Sequence, residues 1–160
     1  MADGLAAFYP GWDEYQRLLV DAISPLTPAE LALRVTPDLN PVWLLAAHIA
    51  SCRVGWFQQL MGEGDVALGQ IYSWDEDDAR PRTAAELTGA LTETWGMISD
   101  CLARWTPAML DDPFERHRPG RPTRTRTRGW VIWHVLEHDI HHGGELSLTL
   151  GAHGLKGLDL

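Results

Sequence analysis

Apolar residues recur at helical spacing in four stretches of the chain, and chain-breaking residues sit between them. Trp12, Tyr15, Leu18, Leu19, Ala22 and Ile23 share one side of a helical repeat, which predicts a first helix over 11–23. Pro25 and Pro28 end it, because proline has no amide hydrogen and clashes with the preceding turn. A second helix is predicted over 41–61, with Leu44, Leu45, Ile49 and Trp56 on its apolar face, Asn40 as cap and Pro41 as first residue. Gly62 and Gly64 stop it. A third starts at "TAAE", where Thr83 and Glu86 have capping-box spacing, and runs through Leu87, Leu91, Trp95, Ile98 and Leu102 to a stop before Pro107. The fourth covers 128–150, with Gly151 at its end.

No run of alternating apolar residues is long enough for a sheet. The segment "TRTRTR" has period two but no apolar member, so it reads as an extended edge or a loop. The linkers 62–82 and 106–127 each exceed twenty residues, more than tight turns between helices require. One such linker can carry the chain back along the helices, so that two successive helices run parallel. The expected fold is all-α, a four-helix bundle with long crossover connections. A length of 160 residues, 45% of them apolar, predicts a single domain over 1–160 with one core.

Composition narrows the function classes. The two cysteines, Cys52 and Cys101, form no CxxC pair, which excludes a zinc ribbon and fits a reducing compartment. The first fifteen residues lack a basic region followed by an apolar run, so no signal peptide is expected. No stretch approaches the ~18 apolar residues of a membrane span, and the expected location is the cytoplasm. A net charge of −9 argues against a nucleic-acid partner. The charge is uneven, however. Residues 115–128, "ERHRPGRPTRTRTR", hold six arginines and one glutamate, a net of +5 that leaves −14 elsewhere. Arg121, Arg124, Arg126 and Arg128 are therefore candidates for holding a small anionic substrate or cofactor through paired hydrogen bonds. The plainer readings are a solvated loop, or a counter-charge to "DEDD" at 75–78.

The chemistry concentrates in "WHVLEHDIHHGGEL", 133–146, which carries four of the chain's seven histidines. On a helix, His138 and His142 lie on one face, one turn apart, and can chelate one cation. His134 lies a further turn back and His141 on the same side. Two ligands are too few for a tight site. A third candidate is His48, in mid-helix within "WLLAAHIASC", where Ala46, Ala47 and Ala50 let a facing helix approach. Neutral imidazoles suit zinc, nickel, copper or iron. Read singly, His48 is a hydrogen-bonded core histidine and the pair a polar helix face; taken together they make a site.

These residues also carry a resemblance. "WDEYQRLLVDAISPLT", "NPVWLLAAHIASC" and "WHVLEHDIHHGGELSLTLG", in this order, resemble the DinB/YfiT-like superfamily. The resemblance implies a four-helix bundle with a three-histidine metal site, here His48, His138 and His142, and a homodimer. Where that family often has arginine and glutamine after the histidine pair, this chain has Gly143 and Glu145. A carboxylate at 145 could support a ligand or itself ligate, alongside His134 and His141 as flanking candidates. The resemblance further implies a divalent metal, zinc or nickel, and a low-molecular-weight thiol such as bacillithiol or mycothiol. The implied activity is a thiol-dependent S-transferase acting on small electrophiles. The alternatives are a hydrolase using metal-activated water and a non-catalytic metal-binding stress-response protein.

Other metal readings compete. "HVLEH", 134–138, matches the HxxEH pattern of zinc peptidases, with Glu137 as base. A di-iron bundle would need carboxylates on several helices, and 41–61 has none. Cys52, one turn from His48, could close the coordination into a structural site. His117 and His153 are expected in solvent. Trp130 and Trp133 belong either to the core or to a substrate wall.

Overall fold

The computed structural model describes residues 4–118 and 120–159. They are mostly helical, with four long helices. α1 spans Pro10–Ile23, α2 Val42–Arg53, α3 Ala84–Arg104 and α4 Arg128–Ala152. A single helical turn at Pro28–Leu31 follows α1, closed by a Thr27–Glu30 capping box. The capping box expected at Thr83 and Glu86 opens α3. The cap expected for α2 differs. Pro41 itself is the extended residue before the helix, and no side chain caps it. α2 also changes character within its expected span, loosening into a π-helix over Val54–Leu60. Gly62, with φ of 74°, ends it in the left-handed region that glycine adopts without strain.

Side-chain contacts fix how the helices run. Gln16 bonds the Leu91 carbonyl and Trp95 bonds Asp13, so α1 and α3 are antiparallel. His48 faces His142 while Trp56 faces Trp130, so α2 and α4 are antiparallel. Arg53 reaches Leu91 and Thr94, and Phe57 stacks on Trp105 just past α3. Successive helices α2 and α3 therefore run the same way. The connection between them returns along their length through a 3₁₀ segment at Val66–Ile71. α2 is buried almost all round, with Ala46, Ala47 and Ala50 at 0–1% exposure, because both α3 and α4 pack closely against it.

The expectation of an all-α chain needs one correction. Pro113–Arg118 and Arg121–Thr127 form an antiparallel hairpin, β1 and β2, which leads straight into α4. The extended-edge reading of "TRTRTR" holds for β2, while a paired sheet was not expected because neither face is aliphatic. Alternation instead puts Arg124 and Arg126 on one face and Thr123, Thr125 and Thr127 on the other. The arginine face is held by aromatic rings: Arg116 sits 3.8 Å from the Trp56 ring centre, and Arg126 sits 4.2 Å from that of Trp130.

Candidate metal centre

α2 and α4 bring His48, His138 and His142 together. One nitrogen from each lies within 4.8 Å of the others. The closest approach is His48 Nε2 to His138 Nε2, 3.0 Å. Two nitrogens on a tetrahedral zinc at ~2.0–2.1 Å would stand ~3.3 Å apart, so the rings need little movement to share an ion. Cys52 is outside this group, as are the carboxylates of Asp139 and Glu137. The closed four-ligand, HxxEH and di-iron readings therefore find no support among the described residues.

The far side of two rings is already occupied. His48 Nδ1 lies 2.5 Å from Asp75 Oδ2, and His142 Nδ1 lies 2.7 Å from Glu145 Oε2. A ring that donates from Nδ1 turns a bare Nε2 to the cluster, and the carboxylate makes that nitrogen more basic. Glu145 is thus in contact with His142, and together with His141 and His142 it forms a second group of donors close enough to hold an ion. Asp75 was not foreseen: in the sequence it is one acid of "DEDD", with no periodicity to mark it. It stands over His48 because Ser51, three residues further along α2, secures the loop. Ser51 Oγ lies 2.6 Å from both the Tyr72 carbonyl and Asp75 Oδ1 and shares its one proton between them. Burial raises the Asp75 carboxyl, but the bonds from His48 and Ser51 outweigh it and hold the group below its ordinary value. The third ring differs. His138 Nδ1 is buried and has no hydrogen-bond partner.

Two of the rings are held toward the neutral form. Burial first, then repulsion from the neighbouring imidazoles, push His138 down to about 3. Burial also lowers His142, against the pull of Glu145. Neutral imidazole is the metal-binding form. His134 does not join. It is sandwiched between Trp56 and Trp130, with ring centres 4.9 and 4.7 Å away, and burial lowers it too. His141 is exposed and 3.6 Å from Glu145. His117 and His153 are exposed, as expected.

The glycine at 143, one of the departures from the family pattern, has a physical reason. A Cβ on Gly143 would stand 2.1 Å from the Tyr15 hydroxyl, which bonds the Ile140 carbonyl. An arginine at 143 is incompatible with Tyr15 in this place. Beneath the histidines, Asp139 is fully buried against Arg53, at 2.7 Å, and accepts from Trp12 Nε1 at 2.8 Å.

A cleft of about 370 Å³ opens on the cluster, lined in part by His48, His138, Cys52, Tyr72, Arg116 and Arg118. Next to it, a cavity of about 330 Å³ is lined by Trp56, Trp130, His134 and five hairpin arginines. Arg121, Arg124 and Arg126 are among them, as are Arg116 and Arg118, which the sequence reading had not singled out. Arg128 is not. It is buried over the Trp105 ring and bonded to Asp112 and the Met109 carbonyl, so its expected substrate role gives way to a structural one. Among the described residues, 75–78 makes no ion pair with the hairpin arginines, since Asp75 is directed to His48 and Ser51. Trp130 walls the arginine cavity. Trp133 neither walls it nor enters the core; it is 62% exposed.

Three histidines converging from two helices beside an open cleft define a helical protein with a candidate mononuclear centre. The chain belongs to the DinB superfamily, whose family model matches residues 12–146. Its fold is similar to the crystal structure of a DinB-like protein from Bacillus cereus ATCC 10987, with a TM-score of 0.73 at 17% identity, covering 100% of this chain and 99% of that one. At that identity the likeness speaks for the fold alone. No curated protein matches the chain. No helix among the described residues is long and apolar enough to cross a membrane.

Proposed function

We propose that this chain is a single DinB-like domain, a four-helix bundle with the α2–α3 connection as its crossover, that holds one divalent metal on His48, His138 and His142. Zinc and nickel suit three neutral imidazoles. The observation that carries the reading is the cluster itself: bare nitrogens point inward while Asp75 and Glu145 hold two of the rings from behind. Such an ion would supply Lewis-acid activation of a bound thiol or water.

The activity proposed is transfer of a low-molecular-weight thiol, of the bacillithiol or mycothiol kind, to a small electrophile in the cytoplasm. Support comes from the protein's own thiols. Burial pushes Cys52 upward, and it pushes Cys101 up to about 12, so neither is a ready nucleophile. The nucleophile then enters from outside, through the cleft over His48 and His138. A second copy of the chain is the proposed partner. Trp133, Ile140 and Leu148 form an exposed apolar row on α4, at 62%, 51% and 65% exposure.

Elemental analysis of protein purified without chelator or nickel resin, followed by a thiol-conjugation screen, tests the reading. About one zinc or nickel per chain with conjugation that stops on metal removal is the expected result. Ester or amide hydrolysis without thiol would replace the transferase with a hydrolase. Bound metal with neither activity would leave a metal-binding protein.

A further inference from the structure

The hairpin holds a cluster of positive charge whose one acid, Glu115, lies against His117 and not against an arginine. Arg116 stands directly opposite Arg124, and Arg118 opposite Arg121. Like charges facing one another across a ribbon repel. Acids are not scarce, since the chain has 22 Asp and Glu against 13 Lys and Arg. The protein's ion pairs nonetheless go to Arg17, Arg53, Arg80, Arg82, Arg104 and Arg128. Among the described residues, no carboxylate pairs with any of the five arginines that line the cavity.

Stacking prepares two of them for a ligand. Arg116 lies over Trp56 and Arg126 over Trp130. A stacked guanidinium presents its flat face to the ring and keeps its in-plane N–H donors free for bidentate contact with an oxyanion. Of these donors, one on Arg126 is taken by the Thr125 carbonyl at 3.3 Å. His134, stacked on Trp130 at 4.7 Å, keeps that indole in place. The geometry points to a subsite for a compact, multiply charged anion, one with two or more oxyanion groups such as carboxylates or phosphates. An extended polyanion is disfavoured by the −14 carried outside residues 115–128. The cavity shares Trp56, Arg116, Arg118 and His134 with the cleft that opens on the histidines. An anion anchored there would place the rest of its molecule beside His138. That last placement rests on the proposed function; the anion site itself does not.

Titration calorimetry of the full chain with benzene-1,3-disulfonate and with benzenesulfonate, at one ionic strength, tests the subsite. The ring is the same, the charge differs, and sulfonates are poor metal ligands. The disulfonate should bind at least tenfold more tightly than the monosulfonate. The double substitution Arg116→Gln and Arg126→Gln should remove at least tenfold of that affinity. Arg118→Gln, an exposed side chain outside the stacks, should weaken it several-fold with the far-UV circular dichroism unchanged. Equal affinity for the two probes, or disulfonate affinity that survives Arg118→Gln and the double substitution, overturns the subsite. So does a single-stranded oligonucleotide that binds more tightly than the disulfonate, which would make nucleic acid the ligand. His48→Ala should lose metal yet still bind the disulfonate, and the arginine variants should keep metal, so the two readings fail separately.

Discussion

Arg53 stands five residues beyond His48 on α2, and Asp139 follows His138 directly on α4, yet the two neighbouring sites are built to opposite rules. In the first, polar demand is met from every side. Arg53 and Asp139 are both fully buried, and Trp12, Gln16, Thr94 and the Leu91 carbonyl meet their remaining donors and acceptors. In the second, three half-buried rings point nitrogens at one another, and one buried nitrogen has no partner at all. The first network is closed by its own side chains, whereas the second leaves imidazole nitrogens facing one another, the feature on which the proposed metal site rests. The difference lies in satisfaction, not in polarity or burial alone.

The largest test of that contrast is Asp139→Ala. It leaves Arg53 charged and unpaired in the core, and removing one partner of a buried pair costs about 3–5 kcal/mol. Urea unfolding at pH 7 should show a loss of that order, or no folded protein. A loss under ~1 kcal/mol would mean that the network does not hold the helices together. His48→Ala, a turn away, should change stability by less than ~1 kcal/mol but remove most of the bound metal, read by elemental analysis of a still-helical protein. Unchanged metal content would end the three-histidine site.

Acid should expose the same contrast. His138 is held at about 3, below the ordinary histidine value of 6.5 that applies to the unfolded chain. Between those values the unfolded state takes up the proton and the folded state does not. Stability of metal-free protein is thus fully retained above ~6.5 and falls as pH drops through the window toward 3. Carboxylate titration joins in at the lower end, so the informative comparison is between pH 6.5 and 5, wild type against His138→Gln. The variant should show the shallower slope. Equal slopes would mean that His138 is not buried neutral.

Much of this was legible in the sequence, for reasons that particular residues make plain. His138 and His142 are tied by helical spacing, and His48 by the small residues around it, so local pattern sufficed to bring them together on paper. Thr83 and Glu86 announced their cap by spacing alone. Asp75 was hidden because it acts from a loop, and a loop position has no period to betray it. The hairpin was only half visible, as an extended edge at "TRTRTR", because strand reading looks for an apolar face. "TRTRTR" has a face, but it is arginine, and only Trp56 of the π-helical segment and Trp130 of α4 make it a surface worth covering. Arg128 looked like one more member of that run, although the change from strand to helix at Thr127 turns it toward Trp105 and Asp112.

Asp75→Asn sharpens the contrast at the next level down. It keeps the shape but removes the charge behind His48 Nδ1, and loss of such a partner weakens metal binding about 10–100-fold. Competition with a chromophoric chelator would read it, and an unchanged affinity would reduce Asp75 to a loop clasp for Ser51.

The smallest effect should come from Glu145→Gln. Glu145 is more exposed than Asp75, with side-chain exposures of 45% and 21%, so its charge is better screened. Glutamine can still accept from His142 Nδ1 through its amide oxygen, which keeps the ring in the orientation and tautomer that aim Nε2 inward. Only the added basicity from a full negative charge is lost. Metal affinity should therefore fall by about two- to fivefold, while Glu145→Ala, which removes the acceptor altogether, should fall by about tenfold or more. The order of the two variants is the decisive reading. If glutamine weakens binding as much as alanine does, the carboxylate itself is contacting the ion, and the centre has four protein ligands instead of three.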